Sequence, residues 1–265
     1  MKDIAVLTDK RGLRIQRVGV KDLHVPLQIR ERRDGFQHVL ANVAMSVELP
    51  HRYRGTHLSR LVETVFEWRD KPLSGHELHV ILDHVRKKLD AERAHISVKF
   101  KYFITKHAPV SHSESALDYD CEFIGALSND GFDFVLGVEV PITTLCPCSK
   151  EISAEGAHNQ RGVIRTRIRY ARDRWIWIED LVSQLEQLAS CDIYPVLKRR
   201  DEKRVTEKAY ENPKFVEDVL RDVVIFLRKD PRILWYEVEC ESYESIHNHS
   251  AYAYQSEWRK DWEKT

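Results

Sequence analysis

Periods of 3.6 and 2 residues alternate in the same order twice along this chain, which leaves few folds open to it. In the first half, residues 36–49 read as a strand that Pro50 closes. Thr56 caps an expected helix with Leu58, Leu61, Val62, Val65 and Phe66 on one face, and Lys71-Pro72-Leu73 breaks it. Ser74 and Glu77 form a capping-box pattern ahead of a second helix, whose apolar face carries Leu78, Ile81, Leu82, Val85 and Leu89. Ile96, Val98, Phe100 and Tyr102 alternate with Ser97, Lys99 and Lys101 in a strand, and residues 118–127 read as another. In the second half, residues 132–142 and 163–170 are strand-like, and residues 175–188 are helical with Ile178, Leu181, Val182, Leu185 and Leu188 as the buried stripe. Asn212-Pro213 reads as a cap and first-turn pair for a helix that buries Phe215, Val216, Val219, Leu220, Val223 and Leu227. Tyr236, Val238 and Cys240 alternate with Glu237, Glu239 and Glu241, and a last strand starts near Ser250. Residues 1 to about 20 have weak periodicity and read as a loose arm.

Each half therefore reads β-β-α-α-β-β, with the first strand of the first half poorly marked. The expected fold class is α+β: two tandem units, each an antiparallel sheet with two helices on one face. The turn-forming cluster Ser128-Asn129-Asp130-Gly131 divides them into residues 1–128 and 129–265. Each strand pattern has a polar side, so other subunits of a homo-oligomer are expected to close some sheet edges.

The chain of 265 residues is 42% hydrophobic and 32% charged, enough for a globular core. No apolar run approaches the roughly 20 residues that span a bilayer. Met1-Lys2-Asp3-Ile4 opens no apolar signal-peptide core, so a cytoplasmic protein with no membrane partner is expected. Lys plus Arg number 42 and Asp plus Glu number 42, which argues against a nucleic-acid binder held by a global basic field. A small anion needs only a local cationic pocket. The five cysteines, Cys121, Cys146, Cys148, Cys191 and Cys240, suit no disulfide framework, and Cys121, Cys191 and Cys240 read as inert core thiols.

Chemistry concentrates just past the strand of residues 132–142. Cys146 and His158, twelve residues apart, flank what reads as a loop, and a thiolate with an imidazole suits zinc while tolerating iron or manganese when a carboxylate joins. The same pair also fits a turn held by Pro147 and a hydrogen-bonded histidine. The run from Lys198 to Arg204 reads as a solvated loop, yet it lies between two helices where Glu202 could supply a third ligand. Glu217 reads either as an exposed carboxylate favoured by a helix dipole, in the second turn of the Pro213 helix, or as an acceptor for the N–H pair of a guanine-like ring. His247 and His249, two apart, would share one face of a strand beside Glu244 and suit proton transfer near neutral pH. The segment from His51 to His57 places cations, Arg54 among them, just before a helix, where phosphates or plain solvent could meet them.

These residues carry a resemblance. The run Pro141-Ile142-Thr143-Thr144-Leu145-Cys146-Pro147-Cys148-Ser149-Lys150-Glu151-Ile152-Ser153, with Gly156-Ala157-His158-Asn159-Gln160-Arg161, is similar to the signature of type IB GTP cyclohydrolase I. So are Asp201-Glu202-Lys203, the run from Val205 to Pro213, Phe215-Val216-Glu217-Asp218, Glu244-Ser245-Ile246-His247-Asn248-His249 and Arg54-Gly55-Thr56-His57-Leu58-Ser59-Arg60. The resemblance implies tandem tunnelling-fold (T-fold) units in a homotetramer, with sites at subunit interfaces. It implies conversion of GTP and water to formate and 7,8-dihydroneopterin triphosphate, the entry step to tetrahydrofolate. By family pattern Cys146, His158 and Glu202 hold one divalent metal (zinc, manganese or iron(II)), with no organic cofactor, and Cys148 is not a ligand. Cys146, His247 and His249 are the catalytic set, the histidines handling protons. Glu217 anchors the guanine, and Lys150, Arg161, Arg54 and Lys203 are the candidate triphosphate cations. Leu58 stands where the pattern has Met, and Arg200 where it has Pro, which leaves the Glu202 segment less stiff. An archaeal-type enzyme forming a cyclic phosphate and an inactive metal-stabilised interaction protein are the competing readings.

Overall fold

The computed structural model describes residues 7–171 and 174–262. Two compact units are present, one of residues up to Lys101 with Cys121–Leu136, the other of Tyr102–Asp120 with residues from Gly137 on. In chain order the elements are β1 (Ile15–Arg30), β2 (Phe36–Leu49), α1 (Leu58–Glu67), β3 (Pro72–Leu73), α2 (Gly75–Leu89), β4 (Ala94–His107), β5 (Glu114–Ser128) and β6 (Gly131–Leu145). There follow α3 (Pro147–Ile152), β7 (Asn159–Tyr170), α4 (Ile178–Glu186), β8 (Cys191–Asp192), α5 (Arg199–Glu211), α6 (Val216–Lys229), β9 (Ile233–Ser242), β10 (Ala251–Trp258) and α7 (Arg259–Trp262). The class is α+β, as expected.

In the first unit the strand order is β3-β1-β2-β4-β5-β6. The loose arm expected over residues 1 to about 20 is corrected: Ile15 already opens β1, which pairs antiparallel with β2, and residues 1–6 lie outside the described residues. The arm looked aperiodic because the β1–β2 register shifts between Ile15 and Val18 and again between Val20 and Leu23, which breaks the alternation. Ser74 Oγ accepts the His76 N–H, and α2 buries Leu78, Ile81, Leu82 and Val85 as its period requires. Gly125 on β5 lets that helix come close, since a Cβ there would sit 3.1 Å from both Ile96 Cγ2 and Leu82 Cδ1. Thr56 does not cap α1. His57 precedes it without a side-chain cap bond, and Leu61, Thr64 and Val65 are buried while Leu58 and Phe66 are exposed.

In the second unit the order is β4-β5-β6-β7-β9-β10, with β8 beside β6. Antiparallel β7–β9 pairing sets Ile164 opposite Cys240 and Ile168 opposite Tyr236, all buried, and α6 buries Val219, Val223 and Leu227. Burial pushes the Cys240 thiol up to about 12, which keeps it inert. A buried ionic cluster joins three elements: Lys106 Nζ of β4 lies 2.6 Å from Glu186 Oε2 of α4, and Tyr119 of β5 donates to Glu186 Oε1 at 2.7 Å. Asp192 continues it, accepting Lys208 Nζ of α5 at 2.7 Å.

Asn212-Pro213 does not open a helix. Asn212 ends α5, its amide donating to the Ala189 carbonyl at 2.9 Å, and α6 starts at Val216 after Phe215. The charge run after Lys198 is not a loop but the start of α5. No helix among the described residues is long and apolar enough to cross a membrane.

Candidate active site

The site grows from the end of β6. Leu145 is tied on both sides: its N–H donates to Ser190 Oγ at 3.2 Å, and its carbonyl accepts the Lys214 N–H at 3.0 Å. The next residue, Cys146, opens α3. Pro147 costs nothing at the first helical position, where its missing N–H would have no partner. The stretch between Cys146 and His158 is thus a short helix and a turn, not the plain loop expected. The Cys146 N–H donates to the His158 carbonyl at 3.1 Å, which brings the two residues side by side. Ser149 fastens both, its N–H pointing at Cys146 Sγ (3.4 Å) and its hydroxyl accepting the His158 N–H (3.2 Å). Cys146 is half-buried and Cys148 exposed.

His158 Nδ1 stands 2.9 Å from Gln160 Oε1. Gln160 Nε2 in turn donates to Glu244 Oε1 at 3.4 Å. Glu244 belongs to the β9–β10 connection, which also carries His247 and His249. These two do not share a strand face as expected. They lie in an exposed turn with their rings stacked, centroids 5.0 Å apart. The Tyr243 N–H donates to the Arg161 carbonyl at 2.9 Å and anchors the start of that turn. Gly162 permits the close strand approach, because a Cβ there would meet the Glu241 carbonyl at 2.5 Å.

Asp201 fixes the start of α5. It is fully buried and accepts the backbone N–H groups of Val110 (2.9 Å), Ser111 (2.7 Å) and Lys198 (2.8 Å). Burial opposes its charge, but the bonds from Ser111, Lys198 and Val110 outweigh it and hold the carboxyl well below the usual range. Glu202 follows, exposed, one turn before Val205 and two before Ala209 on the same helix face. Ala209 packs with Leu145 and Cys191, with Val205 and Ala157 against them, so this face of α5 rests on the residues flanking Cys146 and His158. Even so, among the described residues no three His, Cys, Asp or Glu side chains stand close enough together to hold a metal ion. The structure brings Cys146 and His158 together and leaves Glu202 outside such a cluster. The thiol, imidazole and carboxylate of these three residues still suit zinc, iron(II) or manganese chemically.

Glu217 is the second residue of α6, in its first turn rather than its second, and is exposed. Lys150 Nζ donates to the Tyr210 carbonyl at 2.5 Å and sits 4.3 Å over its ring, holding α3 to α5. Lys203 pairs with Glu207 at 3.7 Å. Arg161 is exposed on β7. Arg54 belongs to the first unit, its N–H bonded to the Leu7 carbonyl at 2.9 Å. Sequence reasoning assigned no role to Ser149, Gln160 or Asp201. Each acts through hydrogen bonds that no short motif announces.

Solved structures of low sequence identity share this fold. A uricase from Bacillus fastidious superposes with a TM-score of 0.57 at 7% identity, over 94% of this chain and 95% of that one. Uricase from Arthrobacter globiformis gives 0.52 at 9% identity, over 92% and 93%. At such identities the likeness concerns the fold alone. The family is shown by sequence: the model for type I GTP cyclohydrolase FolE2 matches residues 1–253, and the chain belongs to that family. GTP cyclohydrolase FolE2 of Desulfosudis oleivorans is 49% identical over 254 residues, covering 96% of each chain. Those of Citrifermentans bemidjiense and Magnetococcus marinus are 47% and 48% identical over 96% of this chain, and over 93% and 95% of their own.

Proposed function

We propose that this chain converts GTP and water to formate and 7,8-dihydroneopterin triphosphate, the first step of tetrahydrofolate biosynthesis. The observation that carries the reading is the Cys146–His158 pair, tied by a 3.1 Å backbone bond within a chain that matches the family model over residues 1–253. Cys146, His158 and Glu202 would hold one divalent ion, zinc, manganese or iron(II). When bound, such an ion lowers the pKa of a water towards neutrality and so supplies the nucleophile for C8 of the purine.

The remaining work falls to the chain's own side chains. Glu217 accepts the paired N–H groups along the guanine edge, which rejects bases lacking them. His247 and His249 take and return protons as the five-membered ring opens, formate leaves and the pyrazine ring closes. Their exposed turn suits repeated exchange with solvent. Arg161, Lys150, Arg54 and Lys203 are the cations proposed for the triphosphate, and Lys150 would have to leave the Tyr210 carbonyl to serve.

Two tandem tunnelling-fold units, residues 1–128 and 129–265, complete the proposal, supported by the recurring order of strands and helices. So does a homotetramer with sites at subunit interfaces. In its favour, β10 ends the strand order and exposes Tyr252 (71%) and Tyr254 (53%), an edge that profits from cover. Five free cysteines suit a reducing cytoplasm.

The test is turnover of GTP by metal-stripped protein with zinc, manganese or iron(II) added back, measuring formate and identifying the pterin by fluorescence after oxidation and dephosphorylation. Metal-dependent formate with neopterin triphosphate is expected. Formate with a cyclic phosphate would move the chain to the archaeal-type reaction, and neither product with any metal would refute the activity.

A further inference from the structure

We infer that Gln160 is a positioning residue that locks His158 in one tautomer and ties that lock to the turn carrying His247 and His249. The Glu244 carboxylate only accepts, so the Gln160 group facing Glu244 Oε1 at 3.4 Å must be the Nε2 amide. Its carbonyl Oε1 then faces His158 Nδ1 at 2.9 Å, and since that oxygen only accepts, Nδ1 must carry the proton. A neutral His158 is thereby left with its lone pair on Nε2, ready to meet an ion. Gln160 is only 9% exposed, so water competes poorly for either bond, and leaving one unmade would be costly. The chain of bonds runs from β7 to the β9–β10 turn, so one amide links the orientation of the imidazole to that turn, whose start the Tyr243 N–H also anchors at the Arg161 carbonyl.

This inference rests on His158 being a metal ligand, and the experiment separates the two. Gln160→Met keeps the length and removes both bonds. Gln160→Glu keeps an acceptor for Nδ1–H but sets two carboxylates against each other. The exchanged pair Gln160→Glu with Glu244→Gln rebuilds both bonds, the one from His158 Nδ1–H in the same direction and the one between positions 160 and 244 with donor and acceptor reversed. Two quantities are read on folded protein: zinc affinity by competition with a chromophoric chelator, and the His158 tautomer in the metal-free state by long-range 15N–1H correlation, assigned with His158→Gln. The wild type is expected to show the Nδ1–H form. Gln160→Met is expected to admit the Nε2–H form and to weaken zinc about 10- to 100-fold. The exchanged pair is expected to restore both. Unchanged affinity and tautomer in Gln160→Met, or no rescue by the exchanged pair, would overturn the role of Gln160. If His158→Gln itself leaves zinc affinity intact, the ligand assignment falls instead, while the tautomer measurement still decides whether Gln160 orients the ring.

Discussion

Lys106→Met tests whether the buried ionic cluster holds the second unit together through charge. In the native protein Lys106 Nζ and Glu186 Oε2 are 2.6 Å apart, with side chains only 10% and 7% exposed. At an effective dielectric of about 20, their attraction is about 6 kcal/mol. Most of that offsets the several kcal/mol each ion loses on leaving water. Removing the lysine alone keeps the cost and loses the gain, so the variant should lose about 3–5 kcal/mol at neutral pH.

The loss should depend on pH, with a definite sign. Burial raises the Glu186 pKa in the native state, opposed by Lys106 and Tyr119. A carboxyl whose folded value lies above its unfolded one binds more protons when folded, so its contribution is present at low pH and lost as pH rises through the folded value. Without Lys106 the folded value climbs further, so the deficit should be larger at pH 8 than at pH 5. Urea unfolding of wild type and variant at both pH values measures this. Lys106→Met with Glu186→Gln should recover most of the stability, since an amide needs no countercharge. Equal losses at the two pH values, or a double variant as weak as the single, would refute the reasoning.

Two further outcomes follow from the site. Cys146→Ala should abolish zinc binding and formate release, while Cys148→Ala, altering an exposed thiol, should keep the metal; equal metal loss in both would reverse the assignment. Glu217→Gln should lower kcat/KM for GTP by about 10- to 100-fold, the worth of a hydrogen bond to a charged group, with zinc affinity unchanged. A fall in zinc affinity to match would mean that Glu217 does not act on the base.

Much of this architecture was legible because burial imposes regular periods. Residues 36–49 form β2 with the expected bounds, and Ile96, Val98, Phe100 and Tyr102 are all buried on β4. Reading failed where tertiary partners decide local structure. Lys198 to Arg204 has the composition of a solvated loop, yet Asp201 gathers N–H groups from Val110 and Ser111, about ninety residues away, and that pins a helix start. Asn212 looks like a helix opener, but its amide is claimed by the Ala189 carbonyl. At the site, the Cys146–His158 pair could be suspected from spacing. The supporting roles of Ser149 and Gln160 could not, because a serine or glutamine in sequence carries no sign of what it will face.

The bond between the Cys146 N–H and the His158 carbonyl is made entirely by backbone, and backbone is indifferent to the side chains it carries. In the proposed ligand set the backbone fixes the spacing of these two positions, while the Ser149 N–H at Cys146 Sγ and Gln160 at His158 Nδ1 hold the side chains. Replacing the Cys146 thiol by an imidazole or a carboxylate would leave that backbone bond in place, lose the Ser149 N–H contact to sulfur and harden the proposed ligand set. Under that proposal a single substitution at Cys146 would shift the preference among transition metals while the backbone bond to His158 stays intact.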